Sequence, residues 1–288
     1  MPDVTSKLDF LADLDLYKTE RPFVFTPGQE FEEKLDTGEE NLNTVQLEWA
    51  DVLLKDIRGK EKYSLGDNGF EVAKNETRNL SLDFLENSAR EDYARETEEF
   101  WTSYLNAEYT LCYNVKLRRN GYWDPSEPVD LVRRGWLEPP AKGIHDLTFE
   151  QAPVLIARKL AEHGMEEYLQ PGYRYRVVNT WRPLLPVIED NPLAFCDSRS
   201  VEPSDLVLAD RIFPNDYYTL YFLKHNPKQQ WHWLSEQTPR ELVLMLMYDT
   251  KPGAARFCAH GSFQNPLASK DAPMRQSIET RSLVITKE

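Results

Sequence analysis

Apolar and polar positions change their period partway along this chain. Leu82, Phe84, Leu85, Ala89, Tyr93, Phe100, Tyr104 and Leu105 recur near three- and four-residue spacing with carboxylates between them. That is the stripe of an amphipathic helix, expected over residues 81–109. A second helical stretch is expected over 150–167, ended by Gly164 or by the Gln170-Pro171-Gly172 turn. Beyond that turn the chain breaks into short β-prone runs at 173–181, 216–223, 242–248, 255–258 and 282–286. Earlier, alternating apolar positions over 45–57 and turn chemistry at Asp67-Asn68-Gly69 before Phe70-Glu71-Val72 predict a short hairpin. The first 41 residues carry many charges, little periodicity and the breakers Pro22 and Pro27. The expected fold is α+β: a double-stranded β-helix (jelly-roll) core with flanking helices and an extended N-terminal arm. Residues 1–44 are read as the arm and 45–288 as a single jelly-roll domain with helical insertions.

Composition narrows the partners. The chain has 288 residues and is 41% hydrophobic, enough for one large core. Its formal charge of -14 gives a surface that repels phosphate backbones, so no nucleic-acid partner is expected. Cys112, Cys196 and Cys258 lack metal-like spacing, and their odd number argues against a disulfide framework. No apolar run reaches the roughly 18 residues a membrane span needs, and the start lacks a basic, apolar leader. A cytoplasmic protein without membrane contact is expected. A homodimer through the N-terminal arm is a further possibility.

Candidate chemistry gathers in the second half. Non-haem iron oxygenases hold their metal with two imidazoles and one carboxylate on one side of the ion. Gly143-Ile144-His145-Asp146-Leu147-Thr148, read with Ala259-His260-Gly261 and Met274-Arg275-Gln276-Ser277, looks like such a site without its carboxylate. In a strand, His145 shares a face with Leu147 while Asp146 turns away. Arg275 and Ser277 share a face in the same manner. Alternation also pairs Asn179 with Trp181 and Thr180 with Arg182, leaving open which pair faces inward. Trp231-His232-Trp233 reads equally well as a binding wall or as core aromatics. Asp249 reads as a turn residue at a strand end, and Arg199 with Asp205 as parts of a structural polar network.

The strings Asn179-Thr180-Trp181-Arg182-Pro183-Leu184, Pro192-Leu193-Ala194-Phe195-Cys196-Asp197 and 275–281 carry a resemblance. From about residue 45 to 283 the chain resembles a fungal and bacterial family of natural-product hydroxylases, desaturases and methoxylation proteins that includes gibberellin desaturase. The resemblance implies an iron- and 2-oxoglutarate-dependent scaffold, in which an Arg and a Ser grip the keto-acid through charge-assisted hydrogen bonds. Relatives show His-x-Asp where this chain has His145 and Leu147, and His before Arg-Trp-Tyr-Tyr where it has Gln229 and Gln230. These two departures make the chain look most like a hetero-Diels-Alderase branch that assembles tropolone-bearing meroterpenoids.

The resemblance therefore implies a cyclisation pocket with no metal and no cofactor. Its substrates would be a polyketide tropolone, reacting as an o-quinone methide, and a humulene-type terpene alkene. Expected catalytic residues are His145, Gln229, His232, His260 and Arg275, with an imidazole of His145 or His232 acting as general acid. Leu147, Asn179, Trp181, Gln230, Trp231, Trp233 and Ser277 are expected to line the substrate site. Two alternatives stand beside this reading. One is an iron/2-oxoglutarate hydroxylase or desaturase in which a β-bulge turns Asp146 into a triad with His145 and His260. The other is a silent binding protein that retains the fold.

Overall fold

The computed structural model describes residues 2–25, 44–60, 63–78, 87–119, 137–138, 143–213 and 216–288. In chain order its elements begin with β1 (Val4–Leu11), β2 (Phe23–Phe25), β3 (Leu47–Asp56), α1 (Leu65–Asn68), β4 (Phe70–Lys74) and α2 (Asn87–Leu105). Next come β5 (Tyr109–Arg119), β6 (Leu137–Glu138), β7 (His145–Leu147), α3 (Gln151–Glu162), β8 (Tyr173–Pro183) and β9 (Leu193–Cys196). The chain closes with β10 (Leu206–Ile212), β11 (Tyr217–Leu223), β12 (Trp231–Trp233), β13 (Glu241–Asp249), β14 (His260–Ser262) and β15 (Gln276–Lys287). The fold is mostly β, with fewer helices than an α+β class implies.

Three sheets form, ordered β4-β13-β8-β15-β5-β6, β1-β3-β12-β9-β14 and β2-β10-β11-β7. The first and second face one another as a nearly closed barrel. Val177 and Trp181 of β8, Val243 and Met245 of β13, and Leu283 and Ile285 of β15 form one wall of its core. Phe195 of β9 belongs to the facing wall. This answers the inside–outside question for β8: Trp181, and Asn179 with it, look inward. Thr180 and Arg182 lie on the outer face, where Thr180 hydrogen-bonds Thr280 at 2.6 Å.

Helix α2 covers that outer face. Tyr93, Thr97 and Trp101 recur every fourth residue and are all buried, giving the single apolar stripe a covering helix needs. Trp101 packs on Val178, Leu244, Leu246 and Val284. The expected first turns of this helix, 81–86, lie outside the described residues, as does the acidic run 30–40. Helix α3 buries Ala152, Ile156 and Leu160 and stops before Gly164, whose φ of +66° breaks the helical path.

Several strands differ from expectation. β3 and β4 do not form a hairpin: β3 pairs with β1 and β12, and β4 pairs with β13. The turn chemistry between them builds α1 instead. Ser64 Oγ caps its start by accepting from Asp67 N at 3.1 Å, and Gly69 at φ +84° turns the chain away. Residues 255–258 are not a strand, because their amides serve other partners. Ala255 N donates to Gly66 O and Cys258 N to Leu246 O, both at 2.7 Å, so the strand begins at His260. The first segment is also built into a sheet, with Leu8, Phe10 and Leu11 of β1 fully buried. The three cysteines are free. No helix among the described residues is long and apolar enough to cross a membrane.

Arg182 joins α2 to the barrel. Its guanidinium donates to Tyr93 Oη at 3.0 Å, to Asn75 O at 2.8 Å, and to Asn75 Oδ1 and Pro239 O. Replacing Arg182 by Met strands these acceptors in a dry layer, and unfolding in urea is expected to show a loss of about 3 kcal/mol.

Candidate functional site

Two imidazoles meet at one end of the barrel. His145 stands at the start of β7 and its Nδ1 lies 3.0 Å from Gly143 O. His260 starts β14 and its Nδ1 lies 2.9 Å from Cys258 O. A carbonyl oxygen only accepts, so both rings carry their proton on Nδ1 and leave the Nε2 lone pair unused. Burial pushes both pKa values down to about 4. Arg211 and Arg281 add to the shift of His145, and Arg281 and Arg118 to that of His260. His232 faces the same interior, since His232 and His260 both pair with Phe195 from opposite sides. Its ring packs on Tyr63 at 4.9 Å, its Nδ1 has no partner, and burial pushes its pKa down to about 4. All three rings are neutral at pH 7. Nε2 of His145 or His260 can accept a proton, so the acid role expected for His145 becomes the role of a base or hydrogen-bond acceptor.

The third member of a facial triad does not form. β7 pairs with β11 in unbroken register, His145 with Phe222, Asp146 with Tyr221 and Leu147 with Leu220. No bulge re-aims Asp146. Its Oδ1 accepts from Leu147 N at 2.7 Å, its Oδ2 is buried without a partner, and burial raises its pKa to about 7. Leu147 packs on the barrel core. Among the described residues, no three His, Cys, Asp or Glu side chains gather as a metal-binding group. The residues present thus offer a metal two imidazoles and no carboxylate, which does not complete the triad.

The Arg and Ser expected from the resemblance are both buried and close in sequence. Arg275 is fully buried, with its guanidinium 5.9 Å from the Trp181 ring. Its Nε has no partner, and Nη1 reaches only Asn191 O at 3.5 Å. Burial and the like charge of Arg118 push its pKa down to about 9, against the pull of Asp190. Ser277 Oγ and Asn179 Oδ1 are also buried and unpartnered. A buried cation beside an unused hydroxyl fits a carboxylate, which would supply the missing charge and acceptors.

Other expected site residues are placed elsewhere. Gln229 spends both amide protons, on Asp205 Oδ2 at 3.2 Å and Lys224 O at 2.9 Å. Its oxygen faces Trp231 Nε1 at 3.4 Å, so it has no donor left for a substrate. Gln230 is exposed, its backbone held by Ser200 Oγ. Trp231 and Trp233 flank His232 and therefore point out of the barrel, into a second core with Phe10 and Phe263. They are core aromatics. Asp249 pairs with Arg174 and Arg176, and Asp197 with Arg199. The reading from residues missed Arg118 and Arg281. Arg118 is ion-paired to Glu279. Arg281 could have been found from its parity with Ser277, two strand steps away.

A β-barrel with two inward imidazoles, and a buried Arg and Ser on the facing sheet, defines the oxygenase class of scaffold. Residues 16–285 match the family model described as an oxidoreductase/YMDC permease-like domain. Hydroxylase/desaturase efuI of Hormonema carpetanum is 31% identical, over 82% of this chain and 84% of that protein. Fe(II)/2-oxoglutarate-dependent dioxygenase nvfI of Aspergillus novofumigatus is 27% identical, over 78% of this chain and 79% of that one. A solved variant of the iron and alpha-ketoglutarate-dependent endoperoxidase NvfI superposes with a TM-score of 0.80 at 23% identity, covering 100% of this chain and 99% of that chain. The chain belongs to this oxidoreductase family, alongside fungal hydroxylase/desaturase enzymes.

Two outcomes test the site's construction. Gly143 has φ +71°, and a Cβ there would lie 2.8 Å from Leu47 Cδ2 and 3.2 Å from Phe222 Cε1. Gly143→Ala is expected to cost about 1 kcal/mol in thermal unfolding and to loosen His145, whose ring hangs on that carbonyl. The histidines set a pH dependence. Their folded pKa values of about 4 lie below the unfolded 6.5, so the unfolded chain binds protons first as pH falls. Their contribution is whole above pH 6.5 and is lost between there and about 4, on the order of 3 kcal/mol per ring. His260→Gln should flatten the fall in melting temperature over that window.

Proposed function

We propose that this chain is a pericyclase of fungal natural-product biosynthesis, built on an oxygenase scaffold whose strand order we read as a double-stranded β-helix. The reaction is a hetero-Diels-Alder cycloaddition between a tropolone o-quinone methide and a humulene-type terpene alkene. The observation that carries this reading is the state of β7: Leu147, which the resemblance sets at the carboxylate's position, packs on the barrel core, and Asp146 accepts from Leu147 N. The cycloaddition is redox-neutral, forming one C–C and one C–O bond at the expense of π bonds. The protein's part is to hold diene and alkene in contact, which makes a bimolecular step effectively unimolecular. Trp181, Phe195 and Leu147 offer the apolar walls, and neutral His145 and His260 offer acceptors for a substrate hydroxyl. A donor aimed at the heterodiene oxygen in a dry site contributes on the order of 3 kcal/mol.

A second reading, an iron/2-oxoglutarate hydroxylase or desaturase, is favoured by one observation: Arg275 Nε and Ser277 Oγ are buried with no hydrogen-bond partner among the described residues. Turnover separates the two. The purified chain, given a hydroxymethyl tropolone and humulene in the presence of EDTA, is expected to form the cycloadduct faster than buffer alone. Leu147→Asp is expected to raise Fe(II) affinity while leaving cycloaddition unchanged or weakened. Product formed only with added Fe(II) and 2-oxoglutarate, and abolished by EDTA, would replace the pericyclase with the oxygenase.

A further inference from the structure

The sheet β1-β3-β12-β9-β14 covers only one face of its first two strands. Val4 and Leu8 of β1, with Val52 and Leu54 of β3, point into the core behind it. Alternation turns Lys7 and Asp9 of β1, and Trp49, Asp51, Leu53 and Lys55 of β3, to the opposite face. There Trp49 keeps 66% and Leu53 54% of its surface exposed. An indole gains much by burial, and tryptophan is enriched where protein surfaces meet. In the ladder Lys7 stands opposite Asp51, between the pairs Asp9–Trp49 and Thr5–Leu53. Side chains so placed lie about 5 Å apart at Cβ, within easy reach of one another. Lys7 and Asp51 are nevertheless both exposed, and neither makes an ion pair among the described residues. The two lysines and two aspartates leave this face neutral on a chain of net charge -14. A basic partner would be drawn to the acidic surface elsewhere, whereas a second acidic copy meets least repulsion here.

We propose that the outer face of β1 and β3 is the contact between two copies of this chain, related by a two-fold axis that lies in the contact plane and runs along the strands. A two-fold contact uses the same patch on both copies, so each pairing occurs twice. This axis sets β1 of one copy over β3 of the other without shifting either along its length. Lys7 of each copy then meets Asp51 of the other, and the two charges left unpaired in one chain are paired between two. Each Trp49 and Leu53 lies across the other copy's β1. An axis running across the strands is disfavoured, since it would set Asp51 on Asp51 and Lys7 on Lys7. The exposed face of two strands makes a contact at the small end of the specific range, so the pair is expected to dissociate at micromolar concentration.

Sedimentation velocity of the full chain over a micromolar dilution series tests this. The unaltered protein is expected to move from the mass of two chains toward that of one as it is diluted. Trp49→Lys is expected to weaken association about ten-fold or more, and Leu53→Lys to act in the same direction. Lys7→Asp and Asp51→Lys, each alone, set like charges against each other twice and are expected to run as single chains. Mixed in equal amounts, these two variants restore both opposite-charge contacts and are expected to form a mixed pair, which added salt weakens. A purely internal role for Lys7 and Asp51 gives no such rescue. All four positions are exposed, and circular dichroism of each variant checks that the fold is kept. A single-chain mass for the unaltered protein at every concentration, an association that Trp49→Lys leaves unchanged, or a mixture of the two charge variants that stays single-chain would each overturn the proposal.

Discussion

The register of β15 between β8 and β5 is the constraint on which the rest depends. Nine of its twelve residues, 277–285, are paired on both sides, and Trp181, Thr180 and Asn179 are held opposite Glu279, Thr280 and Arg281. Because side chains alternate, that register sends Ser277, Glu279, Arg281 and Leu283 into the barrel and Ile278, Thr280 and Val284 toward α2. A slip of one residue would bury the cations under the helix and turn the apolar set into the cavity. The buried Thr180–Thr280 bond and the Tyr93–Arg182 bond oppose such a slip from the outer face.

The inner face is unusual for its charge. An acidic protein normally keeps cations outside, where water solvates them. Here Arg275 is buried with few partners, Arg118 is neutralised by Glu279, and Arg281 is exposed. Desolvation of Arg275 is costly enough to shift its proton affinity downward. An unpaired buried cation of this kind destabilises the empty protein and favours the state in which an anion fills the site. The histidines are tuned the other way. Burial and the nearby cations hold them neutral against the pull of the carbonyls behind each ring, so they accept hydrogen bonds instead of repelling a ligand's protons.

The scaffold and the chemistry are separable in this family. The solved NvfI variant shares this fold, and in this chain Leu147 packs on the barrel core. Fold therefore constrains where the ligand sits more than what happens to it.

Much of the site was legible in the residues. Strand alternation paired His145 with Leu147 and Arg275 with Ser277, the likeness to an oxygenase site joined His260 to them, and Arg281 lay within reach of the alternation rule. Strands β8, β11, β13 and β15 and helices α2 and α3 were visible as runs of period two or three and four. What alternation alone left open was sign and partner. It could not say that Trp181 faces in and Trp231 out, because both are apolar and each face of β12 meets a core. It could not pair β3 with β1 and β12 in place of β4, since strand pairing is chosen by contacts far apart in the chain. Gln229 looked like a free donor until the fold brought Asp205 and Lys224 to its amide. By itself the sequence determined which side chains share a face. Only the tertiary structure decided which face is the inside, because burial is a property of what packs opposite and not of the strand that carries it.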